Sequence, residues 1–103
     1  MAIIVNHWQR RDGKGIEEFG NAAYEVCRAE RGVEGVSSSR FYWVNSDTVA
    51  IQSQADSFEA FDRPGTPELG KAIFALSDVA RPANTERWQD PRAATEMYRR
   101  AGR

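Results

Sequence analysis

The chain has 103 residues, 41% of them hydrophobic and 28% charged, which is too apolar for a disordered chain and enough for one modest core. With 14 basic and 15 acidic residues the formal net charge is −1, so no general electrostatic pull toward nucleic acid or an anionic membrane is expected. No apolar run approaches the ~20 residues of a membrane span, and the single cysteine, Cys27, excludes an intrachain disulfide.

The first segment, about Ile3 to Gln9, alternates at period two. Ile3, Val5 and His7 share one face, and Ile4, Asn6 and Trp8 share the other. Both faces are largely apolar, which predicts a strand covered on both sides. Arg10 to Gly15 reads as a loop. A helix follows from about Gly15 to Glu30, with Ile16, Phe19, Ala23, Val26 and Cys27 on one stripe. Gly32 and Gly35 end it. Two alternating segments, Val36 to Asn45 and Thr48 to Gln54, flank a polar Asn45-Ser46-Asp47 loop of hairpin length.

The second helical region is interrupted. Ser57 is placed to cap a short turn, Phe58 to Asp62, before Pro64 and Gly65 break the chain. Thr66 then reads as a new N-cap, with Pro67 at the first helical position and Glu68 in the first turn. Leu69, Ala72, Ile73, Leu76 and Val79 form a second apolar stripe, and Pro82 is expected to end it. A short polar strand, Asn84 to Trp88, comes next. Pro91 opens a last helix, Arg92 to Arg100, with Met97 and Tyr98 available for packing. Arg92, Arg99, Arg100 and Arg103 read as a solvated helix end, where cations are favoured.

Strand, helix, strand, strand, helix, strand is the split β-α-β order. It predicts an α+β, ferredoxin-like βαββαβ unit: an antiparallel sheet with both helices on one face. The expected organisation is a single domain over 1–103, with a core at 1–90 and a helical tail at 91–103. The other sheet face, bearing Ile3, Val5, Val49 and Ile51, would be a large apolar patch. Two-fold pairing with a second copy buries such a patch on both subunits. A homodimer is therefore expected, its two sheets facing each other as a barrel and its fourth strand and last helix sealing the joint.

This layout resembles the dimeric α+β barrel proteins, and within them the antibiotic-biosynthesis-monooxygenase-like group. The likeness covers nearly all of residues 1–90. It rests on the element order and on Ala55-Asp56-Ser57-Phe58-Glu59-Ala60-Phe61, which is similar to that group's junction between third strand and second helix. The group includes cofactor-independent oxygenases of aromatic polyketides, haem-degrading monooxygenases and small proteins without demonstrated activity. In the haem-degrading branch an Asn of strand one, and a Trp and a His of helix two, line the pocket. Asn6 matches the Asn, Phe61 stands where the Trp would be, and Lys71 occupies the place of the His. An iron-ligating histidine is thus not implied.

Several side chains can carry chemistry on this frame. The Asn6 amide can orient a carbonyl, a hydroxyl or dioxygen, and Trp8 can supply a flat wall with one donor; the alternative is a satisfied buried amide and a core indole. His7, on the opposite face, is the one side chain that titrates near neutrality unaided, and Arg40, Tyr42 or Ser53 are placed to share its face. The alternative there is an interface histidine. Phe41, Trp43, Trp8 and Phe61 can wall an aromatic pocket for a planar ligand or simply pack. Arg40, mid-strand, suits an anionic group or a carboxylate such as Glu86 across the dimer. Cys27, on the apolar stripe, reads as a small core residue. One histidine and one cysteine cannot form a metal site, and Gly13 and Gly15 lack a phosphate-loop pattern.

The missing membrane span and the lone cysteine favour a cytoplasmic location, and to the homodimer expected from the apolar sheet face the resemblance adds small-molecule binding. Its leading activity is cofactor-independent monooxygenation of an aromatic or quinol-type substrate, with Asn6, His7 and Tyr42 as catalytic candidates and Trp8, Arg40, Phe41, Trp43 and Phe61 as binding candidates. No cofactor, metal, nucleic acid or membrane is expected. The alternatives are a non-catalytic dimeric binding or accessory protein, or haem binding without turnover.

Overall fold

A computed structural model describes residues 1–102. The order is β1 (Ala2–Arg10), α1 (Ile16–Glu30), β2 (Val36–Asn45), β3 (Thr48–Ala55), α2 (Glu59–Asp62), α3 (Pro67–Val79), β4 (Ala80–Gln89) and α4 (Pro91–Arg100). The four strands form one sheet, β2-β3-β1-β4, with every neighbouring pair antiparallel. This is the expected α+β, ferredoxin-like arrangement.

β1 lies between β3 and β4. Asn6 stands opposite Ile51 and Trp8 opposite Val49, and residues directly opposite share a sheet face. Phe19, Ala23, Val26 and Cys27 of α1 and Leu76 and Val79 of α3 pack on Val49 and Ile51 to form the core. Asn6 and Trp8 therefore lie under the helices. His7, opposite Ala50, faces the open side, together with Tyr42, also opposite Ala50, and Arg40, opposite Gln52.

That register corrects the expected open face. Val49 and Ile51 belong to the core, at 0% and 1% exposure, and do not share a face with Ile3 and Val5. Alternation within β3 does not set its phase against β1; pairing does, and it puts Val49 and Ile51 on the face of Trp8 and Asn6. The open face instead mixes Ile3, Val5 and Trp88 with His7, Glu86 and Arg40.

The chain ends its second helix before Pro82, at Val79. Pro82 stands inside β4, beside the register shift between His7 and Trp8. β4 is an edge strand, where a missing N–H breaks no essential ladder, so it runs longer than Asn84 to Trp88. Thr66 caps α3 as its sequence predicts, Oγ1 accepting from the Leu69 N–H at 3.2 Å. Ser57 makes no side-chain cap; its carbonyl accepts from the Ala60 N–H at 3.3 Å, and α2 starts at Glu59. Ile16 opens α1 at 48% exposure, so the buried stripe begins at Phe19.

The molecule is a thin two-layer body, 49 × 27 × 16 Å, with a radius of gyration of 15.0 Å; a chain of this length usually compacts to about 13 Å. α4 leaves Met97 and Tyr98 half exposed. Arg99 and Arg100 pair with Glu96 at 3.2 and 3.4 Å, in keeping with a solvated helix end; Arg103 lies outside the described residues.

Gly35 turns the chain from α1 into β2 with φ of +91°, and a Cβ there would lie 3.0 Å from the Ala60 methyl. Gly13 also has positive φ (+80°) but open space around it. Gly35→Ala should therefore cost about 2–3 kcal/mol and Gly13→Ala only about 1 kcal/mol, because only the first adds a clash to the backbone strain. Chemical denaturation of the two variants checks this; equal losses would remove the role given to the Ala60 contact.

Candidate functional site

A cleft of about 460 Å³ opens between β1, the end of α1 and the connection from α2 to α3. Its floor is Ile4 and Asn6 of β1; its walls include Val33, Val36, Ala60, Phe61, Leu69 and Ile73, with Glu30, Arg63 and Thr66 as the polar members. The volume is in the range that holds a small organic ligand. The Pro64–Gly65 break makes the opening: it ends α2 after one turn and lets α3 restart at the Thr66 cap, so two helix ends border the mouth rather than one continuous helix. A groove of about 390 Å³ between α1 and α3, lined by Glu25, Arg28 and Glu68 among others, includes no sheet residue and is a surface channel.

Asn6 is held by β4: its Oδ1 accepts from Thr85 Oγ1 at 2.7 Å. Its Nδ2 has no partner among the described residues, so two N–H donors remain on the cleft floor. Phe61 gives an aromatic edge to the same cavity. These two are the candidates that the fold brings together.

The other candidates lie elsewhere. Trp8 and Phe41 pack against the core. Trp43 crosses α1, its ring 5.5 Å from Phe19 at 89° and 6.4 Å from Phe41 at 76°, both edge-to-face arrangements. Gly20 admits it, since a Cβ there would meet the indole at 3.2 Å. The aromatic pocket expected from Trp8, Phe41, Trp43 and Phe61 is therefore not formed around the cleft; three of the four rings pack among themselves, or on α1 and the core. His7, Tyr42 and Arg40 lie on the open face, with the sheet between them and Asn6, so the three catalytic candidates do not converge. Nδ1 of His7 is 3.9 Å from Glu86 Oε2. Arg40 and Tyr42 line a shallow groove with Ser38, Gln52 and Gln54. Cys27 is a buried free thiol, as its stripe position implies.

The residue that sequence reading missed is Glu30. It follows Cys27 by three, Val26 by four and Ala23 by seven, so it continues the buried stripe of α1. It also ends the helix, where a negative charge meets the negative pole of the helix dipole. Burial pushes its carboxyl above the ordinary glutamate range, with the Ser53 hydroxyl pulling the other way. An acid on an apolar stripe, in a last turn that favours bases, was the available signal.

No family model and no curated protein matches the sequence. Solved structures do match the fold. SnoaB, a cofactor-independent oxygenase from Streptomyces nogalater, superposes with a TM-score of 0.73 at 12% identity, over 86% of this chain and 91% of SnoaB. Rv0793 from Mycobacterium tuberculosis gives 0.70 at 13% identity, over 86% and 93%. A candidate antibiotic biosynthesis monooxygenase from Deinococcus radiodurans gives 0.69 at 15% identity, over 87% and 92%. The protein thus has the fold of the antibiotic-biosynthesis-monooxygenase-like α+β proteins, the class to which its sequence pattern was likened. At these identities the likeness is one of fold.

Among the described residues no helix is long and apolar enough to cross a membrane.

Glu30 sets a pH dependence of stability. An acid whose pKa is raised by folding stabilises the fold fully below its unfolded value, ordinarily near 4.5, and that contribution is lost as pH rises through the folded value. Glu30→Gln removes the loss. It should be more stable than the parent at neutral pH and not at pH about 4; urea denaturation across this range checks both arms.

Proposed function

We propose that this protein binds a planar aromatic or quinol-type molecule in the Asn6 cleft and oxidises it with dioxygen, without a cofactor, as a cytoplasmic homodimer. The observation that carries this reading is the cleft itself: apolar walls, the aromatic edge of Phe61 and the two free N–H donors of Asn6 on its floor. The fold shared with SnoaB, described as a cofactor-independent oxygenase, supports the same chemistry. In this reading Phe61 packs a ring and Asn6 donates to a substrate carbonyl or to the reduced oxygen species, stabilising charge that develops there. The substrate supplies all four electrons: a hydroquinone and dioxygen give a hydroxyquinone and water, one oxygen atom entering each product. A homodimer is supported by the open sheet face, where Trp88 is 46% exposed, and by the half-exposed Met97 and Tyr98 of α4.

Oxygen uptake with naphthohydroquinone, above its autoxidation rate, tests the activity. Asn6→Ala should lower it by about 10–100-fold; an unchanged rate would remove Asn6 from the mechanism. Sedimentation should give about twice the 11.6 kDa chain mass, and a stable monomer would sink the dimer.

One observation favours a second reading. His7 and Tyr42 face away from the cleft, which suits a dimeric binding or accessory protein without turnover. Ligand binding with no oxygen uptake would select it.

A further inference from the structure

Glu30 joins the cleft to a row of buried polar groups. Ser53 Oγ lies 3.0 Å from Ser39 Oγ, both hydroxyls buried between β3 and β2, at 1% and 0% exposure. Burial raises the Glu30 carboxyl and the Cys27 thiol, and the nearby hydroxyls of Ser53 and Ser39 respectively oppose that rise. The carbonyl of Ser39 accepts from Arg31 Nη1 at 2.8 Å. The row Glu30–Ser53–Ser39–Cys27 starts at the cleft and ends in the core.

Such a row has no exit to solvent, so it is not a proton conduit. Cys27 is held in the thiol form by burial and by the charge of Glu30. What the row supplies is position. Each hydroxyl has one proton to give, and Ser53 can spend its proton on Glu30 because Ser39 can donate to Ser53 in turn.

Few charges face it. Its own helix and the following turn bring Cys27 and Arg31, and the guanidinium of Arg31 is engaged by Ser39. Arg63, from the α2–α3 connection, lines the same cavity. The sheet presents the neutral Asn6, Ser39 and Ser53 and, opposite Ile4 on the same face, Arg87, whose guanidinium pairs with Asp62 at 3.7 Å. Among the residues lining the cleft Glu30 is the one carboxyl, with the Asn6 amide and the Arg63 guanidinium as donors.

We propose that Glu30 is the proton acceptor of this cleft, taking the hydroxyl proton of a bound phenol or quinol while Asn6 holds another oxygen of the same ligand. The O–H bond breaks, the proton passes to a Glu30 oxygen, and the electron pair stays on the ligand oxygen. This assignment rests on the cleft being the ligand site, but not on turnover. The raised carboxyl supports it, since a base works best when its pKa lies closer to the working pH than an ordinary carboxylate's.

The test is calorimetric titration with α-naphthol, which carries the hydroxyl without the quinol's oxidation. It is run on the parent and on Glu30→Gln, from pH about 4.5 to about 8. For the parent, affinity should rise with pH as Glu30 ionises. Glu30→Gln, whose folding is checked by its denaturation curve, should bind at least about tenfold more weakly at neutral pH and show no rise, as expected for a lost hydrogen bond to a charged group. Equal affinity and equal pH dependence in both proteins overturn the assignment. Failure of the parent to bind overturns it together with the cleft as a phenol site. Glu30-dependent binding with no oxygen uptake from naphthohydroquinone upholds the acceptor and ends the oxygenase reading instead.

Discussion

The pairing of β1 with a strand on each side constrains the whole molecule. Once Trp8 is opposite Val49 and Asn6 opposite Ile51, strict alternation sends every even residue of β1 toward the helices and every odd one to the open face. The core, the floor of the cleft and the character of the open face all follow. A shift of one residue would turn Ile3, Val5 and His7 toward the helices and Ile4, Asn6 and Trp8 to the open face. The packing of Phe19 and Leu76 on Val49 and Ile51 makes that shift costly, because it would exchange apolar core for half-polar surface.

Within this frame the cleft exists because a helix is broken. An unbroken α2–α3 helix would border the sheet with a continuous surface. Pro64 and Gly65 instead leave a gap bounded by Ala60, Phe61 and Thr66, and the Thr66 cap stabilises the restart. The same gap lies over the C-terminal end of α1, so it exposes an acid that would otherwise be an awkward core residue. Polar groups at Asn6, Glu30, Ser39 and Ser53 thus fall along one edge of an apolar interior. Each burial there is unfavourable alone, and each has a hydrogen-bonding partner or an open side that offsets it.

The element order, the capping of α3 and the core stripe of α1 were legible in the sequence because they depend on local chemistry: period, cap residues and proline placement. Asn6 and Phe61 were legible as site residues through their places in the strand and at the helix junction. Trp43 was not, since its fate depends on Gly20, twenty-three residues earlier, leaving room for the indole. Pro82 was misleading because proline reads as a helix stop, and only the edge position of β4 makes it acceptable within a strand. Glu30 has plain helical spacing from Cys27 and Val26, but a part-buried acid at the end of an apolar stripe shows only when the stripe is followed to its last turn.

By itself the sequence determined an α+β chain with four strands, a capped and interrupted second helix, no capacity for a one-chain cysteine or histidine metal site, and nearly balanced charge. These are properties of neighbouring residues and of composition. The tertiary structure decided the phase of β3 against β1, and with it which faces hold Asn6, His7, Val49 and Arg40. It also decided that Phe41 and Trp43 of β2 pack rather than line the cleft, and that Glu30 and Asn6 border one cavity. Those outcomes depend on pairing between segments far apart in the chain, and alternation within a single strand cannot specify which of its two faces the helices will cover.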